Sequence, residues 1–220
     1  MWELLFDDPI SSYSNDNIEV LFADGVDYSF SGQNTRYKAA YHGLQSITDG
    51  EASKINVLSA LNDLANVQPE DYVFIWIMSN GGNTANSSYV YLWGYDPGNP
   101  NAGILYDTEL KTKLDLIPAH KKVVVVQAPN SGGFADELAG DNSIVITSTQ
   151  TSEQSSRAND TPYEENESWN NVVYHHGEFG YHFYSPLRGL DPGLGNTYGS
   201  TSIQEETNVN EDDVIDFEEA

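Results

Sequence analysis

The stretch Lys121–Leu138, KKVVVVQAPNSGGFADEL, constrains this chain most. Four consecutive valines, Val123 to Val126, show no polar alternation, so they predict a strand buried on both faces of a parallel sheet. The run stops at Pro129, passes through Asn130-Ser131-Gly132-Gly133 and resumes as a helix at Phe134–Leu138. Open α/β sheets place their chemistry where such a buried strand breaks at a small-residue turn and feeds a helix, just outside the carboxyl ends of the strands.

A second continuous apolar run, Tyr72–Met78 (YVFIWIM), predicts a second central strand, ending at Ser79-Asn80-Gly81-Gly82. Between the two strands, Tyr89–Trp93 reads as a small edge hairpin, and Thr108 as the cap of a helix with Leu110, Leu114 and Ile117 inward. Upstream, Asn17–Asp24 reads as a strand and Val26–Gly50 as a long loop. Ser53 then caps a helix whose Ile55, Leu58, Leu61 and Leu64 form a stripe beside Val57 and Ala65. Downstream, Ser143–Ser148 is the next strand, Thr149–Asn171 a polar surface loop, and Glu178–Leu187 a helix with Phe179 and Phe183 four apart. Strand and helix alternating in this way predict an α/β fold with a doubly wound, mostly parallel sheet. The main domain is expected over residues 1–190, followed by a Gly-rich and then acidic tail over 191–220. Met1–Phe6 looks like the remnant of a helix with no strand before it, so the domain is expected to lack flanking segments.

The formal net charge is −25, from 34 acidic against 9 basic residues in 220. That argues against nucleic acid and anionic membrane surfaces as partners, and favours solubility. There is no cysteine, which excludes disulfides, thiolate metal sites and a cysteine nucleophile. No apolar run reaches the ~18 residues of a membrane span, and the start, MWELLF, lacks the basic region of a signal peptide. Few lysines and the sequons at Asn86, Asn159 and Asn166 lean towards an extracellular or periplasmic protein.

The two glycine turns, taken in order with their neighbours, resemble those of the legumain family of caspase-like cysteine peptidases. In that family one buried strand ends in a Ser/Thr-Asp-His-Gly turn and the next in an Ala/Gln-Cys-x-Ser-Gly turn. Here they read Ser79-Asn80-Gly81-Gly82 and Gln127-Ala128-Pro129-Asn130-Ser131-Gly132-Gly133. Leu92-Trp93-Gly94, Ile144–Ser148 with Glu153 and Ser155, Glu178–Phe183 (EFGYHF) and Asn17–Gly25 are similar to further family motifs, so the likeness spans most of Asn17–Gly189. The resemblance implies a caspase-like three-layer sandwich and peptide-bond hydrolysis as the family reaction. It places the catalytic histidine at Asn80, the nucleophilic cysteine at Pro129 and an oxyanion donor at Gly81. Ser131, Ser148 and Glu153 fall on the substrate side, and a peptide or protein ligand is implied, with no cofactor required.

The departures decide the expected chemistry. Hydrolysis here needs a thiolate activated by an imidazole. Proline has neither a nucleophile nor an N–H, and asparagine accepts no proton near neutral pH. The expectation is an inactive homologue that keeps a peptide-binding cleft. An active peptidase with a relocated nucleophile would have to use Ser131, which reads equally as the cap of the next helix. His175, His176 and His182 are the candidates for a moved base or a metal pair, while His42 and His120 carry no motif.

The tail offers a different reading. In NVNEDDVIDFEE, Asn208, Asn210, Asp212, Val214, Asp216 and Glu219 fall at positions one, three, five, seven, nine and twelve of an EF-hand-type calcium loop. Asparagine at the first position and Asp213 where the tight turn takes glycine depart from the pattern, so a calcium loop and a solvated acidic tail both remain open. A calcium-stabilised structural or adhesive module of a larger exported protein is the alternative function.

Overall fold

A computed structural model describes residues 1–7, 13–28 and 39–154, together with 167–169, 172–174, 179, 180 and 183. They fall into two compact units.

One unit takes in the N-terminal helix α1 (Trp2–Asp7), residues 39–42 and the described residues beyond 155. Trp2 stacks on Phe6 at 4.8 Å, and the His42 ring meets both edge-on at 5.4 and 5.1 Å. His42 therefore sits in an aromatic cluster rather than a bare loop. Phe179 and Phe183 are helical and their rings stack at 5.5 Å, one helical turn apart as their spacing predicts.

The other unit, residues 19–28 and 43–154, carries both glycine turns. Its strands are β1 (Tyr72–Met78), β2 (Gly81–Asn83), β3 (Ser88–Tyr91), β4 (Ile104–Tyr106), β5 (Lys121–Gln127) and β6 (Ser143–Thr147). Its helices are α2 (Lys54–Asp63), α3 (Asp107–Leu114) and α4 (Gly132–Leu138). The parallel sheet runs β1-β5-β6 and a small antiparallel sheet runs β2-β3-β4. This is the expected α/β fold.

The valine run is the centre of the parallel sheet. Val124, Val125 and Val126 are 0 % exposed, because β5 has a strand on each side and packing on both faces. Removing such a side chain from water contributes roughly 1.5–3 kcal/mol. Val124 and Val126 join a core with Leu61 of α2, Leu110 and Leu114 of α3, and Phe134 and Leu138 of α4. Lys122, also buried, donates its ammonium to the carbonyls of Leu114 and Ile117 at 2.8 and 3.3 Å, satisfying acceptors that the end of α3 leaves open. Burial holds its pKa below the usual lysine value.

Several sequence expectations need correction. Among the described residues β1 is an edge of its sheet, not a second centre, so Val73 is buried, Phe74 to Ile77 are half-buried, and Tyr72 and Met78 are exposed. Residues 17–24 form no continuous strand. A 3-10 turn (Asn15–Asn17) precedes isolated bridges from Leu21 to Gly50 and Asp24 to Glu51. Ile55 is 80 % exposed, and α2 packs through Val57, Leu58 and Leu61 instead. Thr108 does not cap α3. The helix begins one residue earlier, and the Glu109 carboxylate turns back to accept the Tyr106 N–H at 3.1 Å. Leu110, Leu114 and Ile117 are buried as expected. The Tyr89–Trp93 hairpin is the middle of a three-stranded sheet, because Gly81–Asn83 leaves the first turn as strand β2. The polar segment expected as loop over Thr149–Asn171 contains a strand, β7 (Glu167–Trp169), which pairs with β8 (Val172–Tyr174) in the first unit.

Candidate active site

The two glycine turns meet at the carboxyl edge of the parallel sheet. The register from Tyr72 with Lys121 to Met78 with Gln127 is unbroken, and the Ser79 N–H adds one more rung to the Gln127 carbonyl at 3.1 Å. Asn80 and Pro129 each lie two residues beyond the last pair of their strands. Gly81 follows at close quarters. A Cβ there would stand 2.7 Å from the Tyr89 carbonyl oxygen, 3.0 Å from that of Pro129 and 3.1 Å from the Ala128 side chain. Only glycine lets the backbones approach this closely.

Each turn is tied down by hydrogen bonds that use up its polar groups. On the first, the Ser79 hydroxyl donates to the Tyr91 carbonyl at 2.5 Å, and the Tyr91 N–H donates to the Asn80 carbonyl at 2.9 Å. On the second, the Ser148 hydroxyl accepts the Ala128 N–H at 3.1 Å, and the Thr149 hydroxyl donates to the Ala128 carbonyl at 3.0 Å. Asn130 sits in the left-handed region at φ 59°, a conformation asparagine tolerates better than most residues. Its N–H donates to the Glu153 carbonyl at 2.7 Å and its side-chain amide to the Thr151 carbonyl at 2.9 Å. The buried Ser88 hydroxyl donates to the Asn130 carbonyl at 2.8 Å, while the Ser88 N–H donates to the buried Asp107 carboxylate at 2.6 Å.

Ser131 is 0 % exposed. Its N–H donates to the Thr149 hydroxyl at 3.0 Å and the two hydroxyls lie 3.1 Å apart. It stands at the N-cap position of α4, but its side chain makes no cap hydrogen bond; the hydroxyl instead forms an internal strut between the turn and the segment after β6. Ser148 and Glu153 behave differently. They line one shallow depression of about 440 Å³ with Gly132, Asp136, Thr149 and Gln150.

Asn80 is exposed and Pro129 half-exposed, and neither supplies a nucleophile or a base. His120 cannot stand in. It precedes the first residue of β5, at the opposite end of a 7-residue strand, roughly 20 Å from the turns. His175, His176, His182 and the acidic loop Asn208–Glu219 lie outside the described residues. Among those that are described, no three His, Cys, Asp or Glu side chains group as metal ligands, and no helix is long and apolar enough to cross a membrane.

The family model for the Peptidase C13 family, the legumain peptidases, matches residues 10–172. The chain belongs to that family. A search of the curated proteins found no match. The match takes in both turns, so the family assignment and the meeting of the turns in space rest on the same residues. Sequence reasoning located the turns but missed Ser88, Asp107 and Thr149, which build the frame behind Pro129. Ser88 and Asp107 lie in other elements and are polar groups of ordinary appearance in the sequence, so only tertiary contact distinguishes them.

Proposed function

We propose that this C13-family chain is a catalytically inactive homologue of a legumain-like cysteine endopeptidase that binds peptides without cutting them. One observation carries the reading. Asn80 and Pro129, which the resemblance sets at the positions of the family's histidine and cysteine, each lie two residues past the last pair of neighbouring strands, in a chain with no cysteine at all. Hydrogen bonds from Ser88, to Thr151 and to Thr149 hold the second turn, so a turn without reacting groups still presents a shaped edge. The buried Ser131 hydroxyl counts against a relocated serine nucleophile. The test is incubation of the purified chain with a mixed peptide library, followed by mass spectrometry and by fluorescence anisotropy of labelled peptides. The reading expects binding without new termini. Cleavage above background that vanishes on a single substitution would sink it.

A second role rests on the order of oxygen ligands from Asn208 to Glu219. In this reading the tail binds calcium and stabilises an exported protein. Calorimetric titration with calcium, and melting with and without it, test this role. No heat and no change in Tm would remove it.

A further inference from the structure

Strand β3 alternates in burial. Ser88 and Val90 are buried, while Tyr89 and Tyr91 are only partly so. Period-two alternation sends Tyr89 and Tyr91 to the face opposite the core. There they meet two more tyrosines. Tyr106 of β4 pairs with Tyr89, with ring centroids 5.8 Å apart at 65°. Tyr89 and Tyr91 lie 5.3 Å apart at 82°, and Tyr91 and Tyr95 lie 4.5 Å apart at 60°. The hydroxyls of Tyr89 and Tyr91 are 3.3 Å apart. Tyr95 is 38 % exposed and Trp93 beside it 50 %.

The rings meet at steep angles and so form walls rather than a flat platform. A sugar ring stacks on a flat exposed aromatic face, whereas a cation gains from touching two negative ring faces at once. The surroundings point the same way. No lysine or arginine occurs from residue 81 to 106, Asp96 adjoins Tyr95, and the whole chain carries a net charge of −25. A guanidinium also stacks on aromatic rings more readily than an ammonium does.

We propose that Tyr89, Tyr91, Tyr95 and Tyr106 bind the arginine side chain of a peptide ligand. This rests on the peptide-binding reading above and gives it a specificity. The cluster is continuous with the candidate site, since β2 pairs Gly82 with Tyr89 two residues after Asn80. A peptide at the turn edge therefore passes beside the tyrosines.

The test is fluorescence anisotropy with a capped hexapeptide holding one central arginine, and with the same peptide holding citrulline. The arginine peptide is expected to bind about two- to fivefold tighter, the worth of one exposed cation–π contact. Tyr95→Leu, at an exposed position that should leave the fold intact, is expected to remove that margin and leave citrulline-peptide binding unchanged. Tyr91→Leu should act in the same direction. Equal binding of both peptides, insensitive to either substitution, overturns the tyrosine site and leaves the peptide-binding reading standing. An arginine preference that survives both substitutions reflects diffuse attraction to an acidic protein, and also overturns it. Binding of neither peptide removes both readings. A neutral oligosaccharide that binds the wild type and not Tyr95→Leu would reassign the cluster to carbohydrate.

Discussion

Gly81 lies against the carbonyl of Pro129, so close that a Cβ on Gly81 would stand 3.0 Å from that oxygen. The two strand ends meet here, the Gly81 backbone lying against the Pro129 carbonyl and the Ala128 methyl. Gly81→Ala should force them apart and cost about 1–3 kcal/mol, as overpacking in a tight site does. At about 2–4 °C per kcal/mol for a chain of this size, thermal melting by circular dichroism reads the loss directly. An unchanged Tm would mean that the turns separate freely.

The meeting of the two turns predicts that a cysteine–histidine pair can be built across them. Pro129→Cys alone should alkylate with iodoacetamide as an ordinary thiol, near pKa 8.5 or so. Adding Asn80→His should place an imidazole beside it and lower the thiol pKa by about one unit or more. The pH dependence of alkylation measures this, with melting curves as the check on folding. Identical profiles for the single and double variants would show that residue 80 does not reach residue 129.

Ser131→Ala tests whether that serine is a strut. Removing a buried hydroxyl that partners Thr149 should cost about 1–2 kcal/mol and lower Tm, while peptide binding by the folded protein stays the same. A variant that melts like the wild type but binds peptide more weakly would return Ser131 to the binding surface.

Asp27 gives the unit a pH dependence. It is 7 % exposed and accepts from the Ser46 hydroxyl at 2.8 Å, the Thr48 N–H at 2.9 Å and the Ile47 N–H at 3.2 Å. Burial alone pushes the carboxyl up, but the donors from Thr48, Ser46 and Ile47 together outweigh it, so it titrates below its ordinary value. With a folded pKa below the unfolded one of about 3.9, the stabilisation is fully present above that pH and is lost as pH falls through the folded value. Asp27→Asn should therefore melt lower than the wild type at pH 7, with the gap closing as the pH falls through the lowered folded value. A gap of constant size across that range would mean that the charge is not what stabilises.

Gly103 supports the tyrosine cluster from behind. A Cβ there would fall 2.6 Å from the Tyr95 nitrogen, against rigid backbone. Gly103→Ala should displace the Tyr95 segment, lower Tm and weaken arginine-peptide binding together. Loss of stability with binding intact would separate Tyr95 from the site.

Much of this protein was legible before any tertiary contact was known. Val123–Val126 read as a doubly covered strand, because four apolar β-branched residues in a row leave no polar face, and the structure buries them so. The family, both turns and the absence of a thiol follow from the residues in order. The sequence misled where position in the fold overrides local pattern. Tyr72–Met78 is as apolar as the valine run, yet it lies at a described sheet edge. Ile55 fits a helical stripe and faces water, since the partner elements meet the other side of α2.

Residue types alone thus determined that the Asn80 and Pro129 positions hold no cysteine–histidine dyad, a statement about functional groups that no packing can alter. Tertiary structure decided what surrounds them. It brought the turns that hold Asn80 and Pro129 together at the ends of two strands distant in sequence. It also buried Ser131 behind Thr149 and gathered tyrosines from β3, β4 and the segment after β3 onto one face. Those outcomes depend on which elements become neighbours, and that is fixed by burying the valine strand from both sides rather than by any local run of residues.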